Sequence, residues 1–248
     1  MNIALIADPH LSFENYNHYG VELGLTRAVV QMIIDDINAR RPDCVVWLGD
    51  VTHEGTDEVR REFARLRSML LAPDLVLLGN HDIEHATRHH VGQSIGFVRQ
   101  LWLCAQGWDI VLWDSVRQQS PDNPSGIIAS DSQAFLAQTA RAASGPLLVM
   151  SHHPVSRADM DVEQFWRLVE PFGGRGFVVG GHSHRDWHET RGRWDLIEVA
   201  SCMTPPAGYR WLELTPRSLK IQAIELPVLG AAPAARAASP FPLELPLD

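Results

Sequence analysis

Along most of the chain, short apolar runs stop abruptly at Asp, Asn or His, and stretches with helical spacing lie between them. Residues 2–7 predict a first strand ending at Asp8-Pro9-His10, followed by a polar and aromatic loop over 11–20 suited to one wall of a pocket. Leu25, Val29, Met32, Ile33 and Ile37 then share one face of a helix that Pro42 ends. Residues 44–48 predict a second strand running into Gly49-Asp50-Val51-Thr52-His53-Glu54-Gly55. Val59, Phe63, Leu66 and Leu70 mark a second amphipathic helix, and Leu75-Val76-Leu77-Leu78 a strand that delivers Gly79-Asn80-His81-Asp82. Residues 83–96 show little apolar pattern and predict a loop with at most one helical turn. A strand over 110–113 ends at Asp114-Ser115, a helix is expected near 132–143, and a strand over 147–150 ends at Ser151-His152-His153-Pro154. After a helix near 162–169, residues 177–179 predict a sixth strand that ends at Gly180-Gly181-His182-Ser183-His184.

Beyond that point the apolar positions alternate, so 196–200, 209–214 and 219–226 predict antiparallel strands. Strands alternating with helices, closed by hairpins, predict an α/β fold with parallel strands at its centre and antiparallel ones at one side. Strands buried on both faces read as continuous apolar runs, and such folds keep their chemistry beyond the strands' carboxyl ends. Residues 1–226 are expected to form one catalytic domain. Residues 227–248, rich in Pro and Ala and without periodicity, are set apart as a C-terminal tail, either disordered or packed as an irregular arm.

Composition narrows the function. A chain of 248 residues can bury a full core, and no apolar run approaches the roughly 20 residues of a membrane span. No signal peptide is expected, because the first apolar run is short, lacks a basic start and leads directly into Asp8. Cys44, Cys104 and Cys202 are widely spaced in apolar surroundings, which predicts buried free thiols and a cytoplasmic protein. The formal charge of −9 argues against broad nucleic-acid binding, while bound cations would still let the chain take an anionic substrate. A homo-oligomer in which the tail grips a neighbour is left open.

The strand ends carry Asp8, His10, Asp50, Asn80, His81, His152, His182 and His184. Any one of these elements alone would be an ordinary turn or a surface histidine; their recurrence in order at successive strand ends is what points to a site. Divalent transition ions such as Mn, Fe or Zn accept imidazole nitrogen and carboxylate oxygen together. The candidates exceed the needs of one ion and suit two ions sharing a carboxylate such as Asp50. Two dications, less the charges of Asp8, Asp50 and a bridging hydroxide, leave a cationic pocket that favours phosphate. Paired ions lower the pKa of a bound water, hold it in line with phosphorus and neutralise developing charge. Gly49, Gly79 and Gly181 are expected to let the backbone turn sharply beneath the ligands.

Asp8-Pro9-His10, Gly49-Asp50, Gly79-Asn80-His81-Asp82, His152 and Gly181-His182-Ser183-His184 together resemble the signature of the calcineurin-like metallophosphoesterase superfamily. Residues 209–226 are similar to that family's closing strands. The resemblance implies a four-layer αββα sandwich of mixed sheets flanked by helices, around a binuclear metal centre. It implies that Asp8, His10, Asp50 and His184 hold one ion, and that Asp50, Asn80, His152 and His182 hold the other. His81 would then not bind metal: it would act as general acid on the leaving oxygen after in-line attack by a metal-bridging hydroxide, or stabilise the transition state. The branches separate at position 53. His53 breaks the pattern of the protein serine/threonine phosphatases, and His10 sets aside the purple acid phosphatases. A His at this place is similar to DNA-repair nucleases of the fold. Ser151-His152-His153-Pro154 and Trp113-Asp114-Ser115 look like bacterial class III cyclic-nucleotide phosphodiesterases and their glycerophosphodiesterase relatives.

The resulting expectation is a phosphodiesterase acting on a small phosphodiester, a 3',5'-cyclic nucleotide first. A nuclease and a broad-specificity phosphomonoesterase are the alternatives. His53, Asp82 and His153 are expected to support the ligands or touch substrate, with His18, Arg157 and Arg185 near the motif ends. His85, His89 and His90 are expected to be solvated. With His53 where an Asp often stands, His81 lacks its usual orienting partner.

Overall fold

The computed structural model describes residues 1–18, 21–117, 124–155, 160–227 and 239–247. The chain begins with β1 (Asn2–Ile6), β2 (Asn17–His18), β3 (Val21–Glu22), α1 (Thr26–Arg40), β4 (Cys44–Leu48), α2 (Asp57–Arg67) and β5 (Asp74–Leu77). Next come α3 (Arg88–Ile95), β6 (Gln100–Ala105), β7 (Trp108–Trp113), α4 (Ser130–Ala142), β8 (Leu147–Met150), α5 (Val162–Val169) and β9 (Gly176–Gly180). It closes with β10 (Trp187–Arg191), β11 (Trp194–Glu198), β12 (Gly208–Leu214), β13 (Ser218–Glu225) and β14 (Leu243–Pro246).

Alternation within the strands builds the layers. Two six-stranded mixed sheets form, in the orders β14-β13-β12-β1-β4-β5 and β10-β11-β9-β8-β7-β6. In β1 and β4, Ile3, Leu5, Val46 and Leu48 face the second sheet, packing with Ile110, Leu112, Leu148, Met150, Phe177 and Val179. The intervening residues Ala4, Ile6, Val45 and Trp47 face the other way, onto α1 and α2 through Val30, Ile33, Ile37, Val59 and Phe63. On the far side Val111, Trp113, Val149 and Val178 meet Leu136, Ala140, Phe165 and Val169 of α4 and α5. Side chains at alternate strand positions thus serve two cores at once, which requires the continuous apolar runs seen in the sequence. The result is the αββα sandwich.

The helices start where local chemistry tells them to. Thr56 caps α2 by accepting from the Val59 N–H at 3.4 Å, with Asp57 and Glu58 in the first turn and Arg65 and Arg67 in the last. The same device starts α3, where the Thr87 hydroxyl accepts from the His90 N–H at 3.3 Å and Val91 and Ile95 are buried one turn apart. The expected loop over 83–96 is therefore mostly a helix.

Other expectations change as well. Strand β6 joins β7 through Gln106-Gly107, both with positive φ (50° and 83°), a tight hairpin turn that the apolar pattern does not announce. Strand β10 lies at a sheet edge and is half-exposed or exposed, so it carries little pattern. Strand β11 pairs antiparallel with β10 but parallel with β9, so the closing strands are not all antiparallel. Within the Pro- and Ala-rich stretch, Leu243–Pro246 pairs antiparallel with β13 and buries Leu245. Its alternation is too short to stand out from sequence. Among the described residues no helix is long and apolar enough to cross a membrane.

Candidate metal centre

Beyond their carboxyl ends the strands continue as hydrogen-bonded loops, and these loops carry the site. After β1 and β4 the His10 N–H donates to the Asp50 carbonyl at 2.9 Å and the Leu11 N–H to the Val51 carbonyl at 3.1 Å. After β8 and β9 the Gly181 N–H donates to the His152 carbonyl at 2.8 Å. The two sheets are then joined across the gap, because the His182 N–H lies 3.0 Å from both oxygens of Asp8.

The side chains converge. His10 Nε2 lies 3.0 Å from His184 Nε2 and 3.7 Å from Asp50 Oδ2. His152 Nε2 lies 3.4 Å from Asp50 Oδ2 and 3.3 Å from Asn80 Oδ1. Asp8 Oδ1 is 3.8 Å from His184 Nε2, and the His182 ring centroid is 5.1 Å from that of His152. Asp8, His10 and Asp50 are almost wholly buried, as is His152. Asp8, His10 and His184 form one group whose ligand atoms lie within 4.8 Å of one another, and Asp8, Asp50 and His152 form another. Every residue that the sequence singles out as a ligand is in this cluster.

Local backbone strain marks the same residues. Asp8, His10, Asp50, His182 and His184 all have positive φ, from 45° to 62°. Left-handed conformations at non-glycine residues cost on the order of 1–3 kcal/mol each and persist where surrounding structure holds them. The glycines act partly as expected and partly otherwise. Gly49 does turn with positive φ (91°), and a Cβ there would strike the His152 ring. At Gly79 and Gly181 what matters is space: a Cβ would overlap Asp50 Oδ1 and Asp8 Oδ2 respectively.

Hydrogen bonding tests whether cations fit. The His152 Nδ1 lies 2.9 Å from the Leu48 carbonyl, which can only accept, so Nδ1 carries the proton. Nε2 then faces the oxygens of Asp50 and Asn80 with a lone pair among acceptors. Either a second proton or a cation has to stand there. Without a cation the ring takes the proton: burial opposes its charge, but Asp50 and Asp8 outweigh this and raise His152 to about 9. Burial likewise opposes ionisation of Asp50, yet His152, His81 and His10 hold its carboxyl well below the usual range. Asp8 is pushed up to about 8, by burial first and by the neighbouring Asp50 charge as well. A histidine whose far nitrogen donates to a backbone carbonyl is how metal-binding imidazoles are oriented. The donor set and its unmet charge fit divalent ions.

His81 is held differently. Its Nδ1 lies 2.9 Å from the His53 carbonyl and its N–H donates to Asp50 Oδ1 at 2.9 Å. The residue that lacks the carboxylate, His53, supplies a main-chain oxygen to the His81 ring instead, which no side-chain motif could reveal. The His53 ring stacks on His81 at 4.9 Å between centroids, and its Nδ1 lies 3.2 Å from His10 Nδ1 while Nε2 meets the Tyr16 hydroxyl at 3.0 Å. Burial, with His81 and His18 nearby, lowers His53 to about 4 and keeps it neutral. Burial also opposes charge on His81, but Asp50 and the His53 carbonyl outweigh it and raise its pKa.

Asp82 does not bond the His81 ring. It accepts from the N–H groups of Gly79 (2.8 Å), Thr52 (2.8 Å) and Val51 (3.2 Å) and from the Thr52 hydroxyl (2.8 Å), stapling the loop after β5 to the loop after β4. His153 is similarly occupied, with Nε2 2.7 Å from the Pro124 carbonyl and Nδ1 2.9 Å from the Ser115 hydroxyl. It braces the loop and has no nitrogen left for a ligand. His18 lies 4.5 Å from His53 between ring centroids, so the described part of the 11–20 loop packs against the histidine cluster. Arg185 is exposed and leans on Glu198 at 3.5 Å, and Arg157 lies outside the described residues. His85, His89 and His90 are exposed, as expected.

Two packed sheets whose strand ends converge on a buried Asp, Asn and His cluster define a metallophosphoesterase, and the chain belongs to the calcineurin-like phosphoesterase family, whose profile matches residues 1–186. It is a metal-dependent phosphoesterase. Over 234 residues it is 26% identical to a "Probable cyclic nucleotide phosphodiesterase" of Synechococcus sp., covering 87% of this chain and 88% of the relative. Over 235 residues it is 25% identical to a 3',5'-cyclic adenosine monophosphate phosphodiesterase of Pseudomonas aeruginosa, covering 84% of each. Its fold is similar to that of a dimetal phosphatase from Danio rerio, with TM-score 0.77 and 14% identity over 90% of this chain and 95% of that one.

Proposed function

We propose that this chain is a binuclear-metal phosphodiesterase that hydrolyses a small phosphodiester, with a 3',5'-cyclic nucleotide the favoured substrate. The observation that carries the reading is the convergence of Asp8, His10, Asp50, Asn80, His152 and His184 around unmet charge, with the His81 ring beside them held by the His53 carbonyl. Asp8, His10, Asp50 and His184 would hold one ion, and Asp50, Asn80, His152 and His182 the other, with Asp50 shared. Two ions, Mn, Fe or Zn, would supply a water of lowered pKa and positive charge for the phosphoryl oxygens. The chain's own residues do the rest. Leu48 and the loop hydrogen bonds fix the ligands before substrate arrives. With Nδ1 committed to the His53 carbonyl, a charged His81 has its transferable proton at Nε2, available to the leaving oxygen. His53, stacked and neutral, keeps that ring in place.

Relatives whose printed names specify cyclic-nucleotide hydrolysis support the choice of substrate, as does the retention of every signature residue. Three free cysteines support a cytoplasmic location, although Cys104 is exposed and only Cys202 is fully buried. The test is a panel of cyclic nucleotides, glycerophosphodiesters, phosphomonoesters and DNA, assayed with added Mn²⁺ and with chelator. Turnover of the cyclic nucleotides well above the phosphomonoesters is expected. Diester turnover no faster than in chelator would overturn the reading, and DNA cleavage that falls steeply with salt would move it to the nucleases.

A further inference from the structure

Next to the metal-binding cluster, a cleft of about 220 Å³ opens beside His184, the one signature residue that lines it. Its other walls come from the turn after β9, the loop before β12, and the C-terminal segment through Ser239 and Phe241. Asp186 fastens these pieces together. It accepts from Arg210 Nη2 through both oxygens at 2.7 Å, from the Ala200 N–H at 3.0 Å and from the Ser239 hydroxyl at 2.8 Å. The Arg210 guanidinium lies 5.4 Å from the centre of the Phe241 ring, which also packs against the core between the sheets. The wall is therefore built before any ligand arrives, which lowers the ordering that binding must supply.

The lining says what kind of group fits. Its charges balance, Arg185 and Arg210 against Asp186 and Glu225, so it offers no field for a second phosphate or for a cation. Phe241, Pro205, Pro206 and Ala223 supply apolar surface beside the hydroxyl of Thr204. The volume is below the roughly 300 Å³ at which pockets for drug-sized ligands begin, so the cleft holds part of a substrate and not a second nucleotide. A neutral group with a flat apolar face and a polar edge matches these properties. We propose that the cleft receives the base-bearing part of a nucleotide whose phosphate lies at the cluster, with Phe241 of the C-terminal segment as the surface it packs against. The inference rests on the proposed phosphodiesterase reading for the position of the phosphate. It gives the C-terminal segment a task in substrate selection.

Calorimetry on the Mn-loaded full chain, comparing adenosine 5'-monophosphate with ribose 5-phosphate, isolates the base. The nucleotide is expected to bind about tenfold more tightly, and Phe241→Ala should bring that ratio close to one. In turnover the same variant should raise KM for a cyclic nucleotide by a similar factor with little change in kcat. Because Phe241 also packs on the core, Thr204→Trp provides a second route: it puts a large side chain into the cleft lining and should erase the same preference. Equal affinities for the two phosphates in the wild type would overturn the cleft assignment while leaving the phosphoesterase reading in place. If neither phosphate binds, the placement of phosphate at the cluster has failed, and saturation-transfer NMR with adenosine on the metal-free chain then decides about the cleft alone. Transfer that Phe241→Ala removes supports it, and no transfer overturns it.

Discussion

In the proposed mechanism His81 gives up one proton and must keep hold of the other, and a backbone carbonyl at its Nδ1 is placed to do the holding. Its ring is thereby held apart from that of His152, a proposed ligand, whose Nδ1 is held by the Leu48 carbonyl. His81→Ala should therefore lower kcat for a phosphodiester by about 10²–10⁴ while the Mn content per chain stays constant. Parallel loss of metal would make His81 a ligand. Among the proposed ligands, His152 is raised to about 9 and holds a second proton at pH 7 in the metal-free chain. Ion binding there must release that proton, and affinity must rise with pH until about pH 9. Calorimetry in buffers of different ionisation enthalpy reads this directly; uptake of protons, or affinity flat between pH 6 and 8, would contradict it. The identities of these residues were legible in the sequence because their chemistry is in their side chains. The Leu48 and His53 carbonyls were not, nor was the positive φ shared by five of the residues, because any residue type supplies a carbonyl and strain leaves no mark in composition.

At the scale of elements, the strands that carry ligands were readable and the edge strands were not. Burial on both faces forces β1, β4, β8 and β9 into continuous apolar runs, whereas β10 and β14 expose part of their length and can afford mixed sequences. Helix α3 was hidden because its buried face amounts to Val91 and Ile95 among polar residues, although Thr87 was there as a cap. Asp82 shows how a motif residue can serve the elements and not the chemistry: four hydrogen bonds from two loops end on one fully buried carboxylate. Asp82→Ala strands those donors and should destabilise the metal-free protein by about 3–5 kcal/mol, measured by urea unfolding. A loss below about 1 kcal/mol would mean that the loops hold together without it.

Over the whole molecule, the central feature is that neither sheet makes the site alone. Asp8, Asp50 and Asn80 come from the ends of β1, β4 and β5, and His152 and His182 from the ends of β8 and β9 in the facing sheet. The apolar layer between the sheets sets their separation, and the His182 N–H donated to Asp8 crosses it where the layer ends. The sandwich was legible from the motif resemblance more than from periodicity, since alternating strands and helices alone are compatible with several α/β arrangements. The most direct test of the account is the Mn²⁺ content of fully loaded protein, measured beside that of Asp50→Ala. Two ions per chain in the wild type, with at most one in the variant, is the predicted result. A single ion in the wild type, or an undiminished pair in the variant, would contradict a centre in which Asp50 is shared.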